Sequence, residues 1–307
     1  MKISTSQLYD SAITQMNRQQ SNVAEMQAKL ASGKSLVKPS DDAEKATLIQ
    51  RLNSAMQRQD AYDLGLNRAD SRLRMEETAL SSAQSMLQRI RELAIQGSNG
   101  GLSGTDRTII ANEVSNLRDA LFSIANTQDE NENYIFSGTA VKTPAFSKNA
   151  DGVIAYNGDQ NQTSVDISEY RQVEINRVGD AAFGSVLRTN NEGEDSNISF
   201  FQVISDFSKA LESGEEAVLS QGLSEISTLT DDMAYSLADV GSRMNTVDSQ
   251  RDILADTKLR FQELLSNSED LDYATAVTKL SAQMLSLEAA QASFAKISQL
   301  NLFNYLR

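Results

Sequence analysis

One seam of apolar residues runs through positions 48–94 and dictates most of what this chain can become. Its members are Leu48, Leu52, Ala55, Gln59, Tyr62, Leu66, Ala69, Leu73, Glu76, Leu80, Ala83, Leu87, Ile90 and Ala94. Steps of three and four residues alternate, so the stripe stays on one side of an α-helix and faces a partner helix. Only Gln59 and Glu76 interrupt it. About 47 residues rising 1.5 Å each make a rod of roughly 70 Å. Such a helix is too long for a compact domain and calls for a bundle or a coiled coil.

A second seam answers it near the other end. It holds Leu219, Leu223, Ile226, Thr230, Met233, Leu237, Val240, Met244 and Val247, then continues more loosely through Leu254, Phe261 and Leu265. Arg251 and Lys258 also fall in this seam. Single polar residues in a heptad, such as Gln59 and Arg251, read as register setters. Between the seams lies a shorter amphipathic helix carrying Ile110, Val114, Leu117, Leu121 and Ile124. The glycine cluster GSNGGLSG at 97–104 reads as a turn, with Ser103 or Thr105 placed to cap the helix after it.

From Tyr134 to about Asn197 the heptads vanish. The pieces YIFSG, GVIAYNG, TSVDI and YRQVEIN read as strands separated by Gly, Asn and Asp turns. A helix through Phe201, Ile204, Phe207 and Leu211 then leads into the second rod. Both ends are amphipathic as well. The first helix shows Tyr9, Ile13, Met16, Val23 and Leu30, and the last shows Tyr273, Leu280, Met284, Leu287, Phe294 and Ile297. The final helix opens on the acidic SEDLD, which suits the positive end of a helix dipole.

The expected fold is therefore mainly α, a long antiparallel helical bundle or coiled coil formed by the N- and C-terminal segments, with a small inserted β domain. The expected division is terminal helices at 1–40 and 270–307, a helical rod at 41–135 and 198–269, and the insertion at 136–197. With heptads absent from it, the insertion is expected to be dispensable for joining subunits into an assembly, so that a short glycine-serine linker in its place would leave that role intact.

Composition narrows the chemistry. Without His there is no imidazole base or imidazole metal site, and without Cys there is no thiol nucleophile, zinc thiolate or disulfide. A net charge of −14 disfavours nucleic acid and anionic membrane as partners. No run is long and apolar enough to span a bilayer, and MKISTSQLYD lacks the apolar core of a cleaved secretory signal. The stretch ASGKS at 31–35 ends like a phosphate-binding loop, but Ala28 stands where the first glycine is required and the preceding residues read as helix. Gly33 reads instead as a helix C-cap. Asp129, Asn131 and Asn133 begin like a calcium loop, but Tyr134 and Ala140 occupy its glycine and bidentate-acid positions. Asp41 and Asp42 after KPS read as helix-capping carboxylates, a reading that Ser40 ahead of the helical run from Ala43 supports, and not as an acid–base pair. No catalytic residue, cofactor or metal is expected, and the chain does not read as an enzyme.

Several motifs together resemble the flagellin family of bacterial flagellar proteins. They are the opening MKISTSQLYD, the bend LASGKSLVKPSDDA, the step IANTQDENENYIFSGT, the returning GSRMN and SEDLDYATAVTKL, and the tail QMLSLEAAQASFAKISQLNLFNYLR. The resemblance implies an extracellular structural adaptor that joins hook to filament by self-assembly into a short tubular ring. It implies other copies of the chain as partners, with a hook-associated protein on one side, flagellin on the other and a cytoplasmic export chaperone. It also implies export by the flagellar type III apparatus without a cleaved signal peptide. Subunit contacts are expected from Tyr9, Ile13, Met16, Val23, Leu30, Met284, Leu287, Phe294, Ile297, Leu302, Phe303 and Leu306. The bend is expected at Gly33, Pro39, Ser40, Asp41 and Asp42. Filament flagellin itself is the alternative within the family. A generic coiled-coil scaffold or chaperone is the alternative outside it.

Overall fold

The structure is a computed structural model and describes residues 5–189 and 194–299. Thirteen elements follow in chain order among these residues. They are α1 (Thr5–Ser32), α2 (Ala43–Gly97), α3 (Gly104–Ala125), β1 (Phe146–Lys148), β2 (Ile154–Tyr156), β3 (Ser164–Ser168), β4 (Arg171–Glu174), α4 (Gly179–Phe183), β5 (Ser185–Thr189), β6 (Asp195–Ser199), α5 (Phe200–Ser213), α6 (Glu216–Glu269) and α7 (Tyr273–Gln299). The chain is mainly helical, with the strands confined to the middle. Two compact units emerge, residues 59–254 and residues 1–58 with 255–307.

The unit of 59–254 holds the main core. Leu66, Ala69, Leu73, Leu80, Ala83, Leu87, Ile90 and Ala94 of α2 are fully buried, as the seam requires. Ile226, Met233, Val240 and Val247 of α6 are buried in the same cluster. Across the two helices Arg251 reaches Asn67 at 3.4 Å and Asp70 at 3.6 Å, so this seam cation pins register from the rim. Helices α3 and α5 close the bundle. Ser208 Oγ lies 2.9 Å from Ser115 Oγ and donates to the Ala111 carbonyl at 3.0 Å, which satisfies a hydroxyl inside an apolar contact. Ser103 caps α3 by accepting the Asp106 N–H.

The insertion is three separate antiparallel hairpins, β1–β2, β3–β4 and β5–β6, with α4 between the second and third. Hairpins this small cannot bury a core of their own. They borrow one from the bundle. Phe136, Phe146 and Phe183 meet Phe200 and Phe201 of α5 in a chain of ring contacts 5.2–5.9 Å between centroids. Excision of the insertion would strip three phenylalanines from the side of α5 and uncover part of Phe200 and Phe201. The hairpin β3–β4 also rests directly on α2, where a Cβ at Gly65 would lie 2.5 Å from the Asp166 carbonyl oxygen. Only glycine lets the two backbones approach that closely.

The unit of 1–58 with 255–307 is sparsely filled. Val23, Leu52 and Ala276 are its buried apolar side chains among the described residues. Leu48, which the seam predicts to be covered, is 47 % exposed. Charge divides as unevenly as burial. This unit carries 13 Lys and Arg against 11 Asp and Glu, net +2, while 59–254 carries 15 against 31, net −16.

Candidate assembly site

The terminal helices pair antiparallel with each other. Tyr9 near the start of α1 meets Phe294 late in α7 edge-to-face, with centroids 5.7 Å apart. At the opposite end, Gly33 beyond α1 receives the Leu271 N–H ahead of α7 at 3.0 Å. Of the predicted stripe, Tyr9, Met16, Leu30, Leu287 and Phe294 are half-buried and Val23 is buried. Ile13 and Met284 are 41 % and 44 % exposed. Leu285, a position the heptad did not select, is 68 % exposed. The side chain of Ile297, and residues Leu302, Phe303 and Leu306 entirely, lie outside the described residues.

The bend stops α1 and starts α2 by separate devices. Gly33 adopts φ +72°, its N–H donates to the Lys29 carbonyl at 2.9 Å, and α1 ends in a left-handed cap. Pro39 then sits second in a turn that Asp41 closes, its N–H reaching the Lys38 carbonyl at 3.0 Å and its carboxylate accepting the Lys38 N–H at 3.0 Å. Helix α2 begins at Ala43, and Asp42 is the cap, accepting the Lys45 N–H at 2.9 Å. Of the predicted helix-start residues, Asp42 holds the cap position, because the residue just before a helix can reach its third N–H, and Ser40 lies in the turn ahead of it.

A clasp joins the two bends. Lys34 pairs with Asp270 as an isolated antiparallel bridge. The Ser35 N–H donates to the Glu269 carbonyl at 2.7 Å, and Ser35 Oγ donates to the Ser268 carbonyl at 3.1 Å. Lys45 Nζ donates to Ser35 Oγ at 2.7 Å, and Lys34 forms an ion pair with Glu269. Asp272 then caps α7. It accepts the Thr275 hydroxyl at 2.6 Å and the Ala274 and Thr275 N–H groups, and these bonds, the hydroxyl first, hold its carboxyl below the ordinary range. Beside the clasp, Leu36, Val37, Pro39, Ala46 and Ile49 line a cleft of about 500 Å³. Sequence reasoning found the bend and the acidic start of α7 but not the clasp. Its partners are more than 230 positions apart, and nothing local in either bend marks the other.

The remaining motifs settle into structural roles. Asp129 Oδ1 accepts the N–H groups of Asn131 and Asn133 at 2.8 and 3.0 Å. Its Oδ2 takes Asn133 Nδ2 at 3.1 Å and Arg72 at 3.4 Å. Both oxygens are thus engaged within the protein. No group of three or more His, Cys, Asp or Glu among the described residues could hold a metal ion. No described helix is long and apolar enough to cross a membrane.

Comparison with known proteins agrees in order and extent. Residues 3–141 match the bacterial flagellin N-terminal helical region, and residues 223–306 match the bacterial flagellin C-terminal helical region. Flagellar hook-associated protein 3 of Escherichia coli (strain K12) is 26 % identical over 318 residues, covering 99 % of each chain. The protein of the same name from Salmonella typhimurium (strain LT2) is 24 % identical over 322 residues and the full length of both. In fold, the chain is similar to the flagellar junction protein of Legionella pneumophila, with a TM-score of 0.63 at 20 % identity, covering 74 % of this chain and all of that one.

Proposed function

This chain belongs to the flagellin family, and on that premise we propose that it is a structural subunit of the flagellum that joins hook to filament outside the cell. The near full-length match to hook-associated protein 3 carries this reading. The expected partners stand as part of the proposal: further copies in a ring, a hook-associated protein on one side, flagellin on the other and an export chaperone before assembly. We assign assembly to the terminal helices at 1–40 and 270–307, between which the rod at 41–135 and 198–269 and the insertion at 136–197 lie along the chain.

The α1–α7 pair supports that division. Its clasp orders both helices, yet Ile13, Val277, Met284 and Leu285 remain exposed. Burying each such side chain against a neighbouring copy contributes roughly 1.5–3 kcal/mol, before the cost of ordering. A ring multiplies that gain by the number of contacts, which a free subunit cannot collect.

Deletion of the gene followed by electron microscopy tests the reading. A junction protein leaves bare hooks and flagellin shed into the medium. Bare hooks with no flagellin secreted would identify the chain as the filament subunit instead.

A further inference from the structure

Glu76 breaks the α2 seam from a buried position. It is 2 % exposed, and its Oε1 is buried with no hydrogen-bond partner. Charged groups from three elements act on it. Helix α2 supplies Arg72, helix α6 supplies Arg243 and Asp239, and the connector after β4 supplies Arg177. None of these arginines is spent on Glu76. Arg177 binds Asp239 at 2.8 Å, and Arg243 binds Asp239 at 2.7 Å and Glu174 of β4 at 3.4 Å. Arg72 binds Asp129 at 3.4 Å and donates to the Ile135 carbonyl at 2.9 Å. These bonds are among those that tie the insertion and the segment leading into it to the helices.

We propose that Glu76 is a proton-operated latch for the insertion. A neutral carboxyl lies quietly beneath the arginine bridges. An ionised one is a bare charge in a closed site, and the charges able to answer it are the three guanidiniums already holding the insertion. Drawing any of them inward weakens a bridge to Asp129, Glu174 or Asp239 and lets water reach the carboxylate. Burial, partly offset by Arg243, Arg177 and Arg72, pushes the group up to about 7, so the change falls near neutral pH. The insertion is held most firmly below that pH and loosens above it.

Hydrogen–deuterium exchange at pH 6 and pH 8, corrected for intrinsic rates, tests the latch. Segments 129–136 and 172–178 of the unmodified protein should lose about tenfold in protection at pH 8, because with a midpoint of about 7 the ionised fraction rises from about one-tenth at pH 6 to about nine-tenths at pH 8. Glu76→Gln, neutral at every pH, should keep the pH 6 protection throughout. A matching loss of protection in Glu76→Gln would overturn the proposal. Carbon-detected NMR titration of the Glu76 carboxyl in the unmodified protein gives an independent answer should that variant not fold. A midpoint near 7 supports the latch, and one below 5 sinks it.

Discussion

Arg188 shows how much one side chain can hold. Its guanidinium grips Glu225 of α6 with two bonds of 2.8 and 2.7 Å and Asp206 of α5 with one of 2.8 Å. The fork geometry suits two carboxylates at once. Glu225 is buried, so Arg188→Ala would leave a carboxylate without its cation, at a cost of about 2–3 kcal/mol read as a lower melting temperature. A smaller loss would show that water replaces the arginine. Glu76 acts with the opposite sign. The folded protein holds its proton up to about pH 7, whereas the unfolded chain releases it near 4.5. Its contribution to stability is therefore full below 4.5 and is lost as pH rises through 7, by at most about 3 kcal/mol. Melting curves should diverge accordingly, with Glu76→Gln gaining on the parent from pH 5 to pH 8. Parallel curves would contradict the shift.

Helices α1 and α7 form a real pair that is thinly buried. Val23 and Ala276 are the buried apolar side chains that the two contribute among the described residues. Amphipathic helices with so little cover are marginal in water. Limited proteolysis should therefore trim roughly the first and last 40 residues and leave a resistant fragment of the 59–254 unit. Early cuts within 60–94 would count against this. At the chain's end, serine in place of both Phe303 and Leu306 should leave the melt unchanged and abolish stable junctions, read as flagellin in the medium. A large fall in melting temperature would place those side chains in the subunit's own core. Much of this was legible. The seams of α2 and α6 could be read because a heptad is a local signal that keeps its phase over many turns. The shared phenylalanine core was not, since Phe136, Phe146 and Phe183 carry no periodicity and meet α5 only through tertiary folding. Which of Ser40, Asp41 and Asp42 is the cap was not legible, because all three are good caps and only the position of the first helical residue decides between them.

Across the whole molecule, charge sets the terms of self-association. Bringing copies together concentrates the −16 of residues 59–254 while the +2 unit has little to offer in return. Added salt screens that repulsion over a Debye length of about 8 Å at physiological strength. Light scattering of the purified protein should therefore show association rising with salt. Association that weakens with salt would mean oppositely charged patches dominate instead. The clasp between the bends has a consequence of another kind, one of phase. It fixes where α1 stops relative to where α7 starts, and every residue upstream of Gly33 is indexed from that point. One alanine inserted between Leu30 and Gly33 would turn the upstream stripe by about 100°. Val23 would swing off α7, and the terminal pair would come apart. The same alanine inserted after Val37 falls past the backbone bonds of the clasp at Gly33, Lys34 and Ser35, where it lengthens a loop and leaves α1 and α7 in phase. Two insertions seven residues apart should thus differ in outcome, the first destroying assembly and the second sparing it.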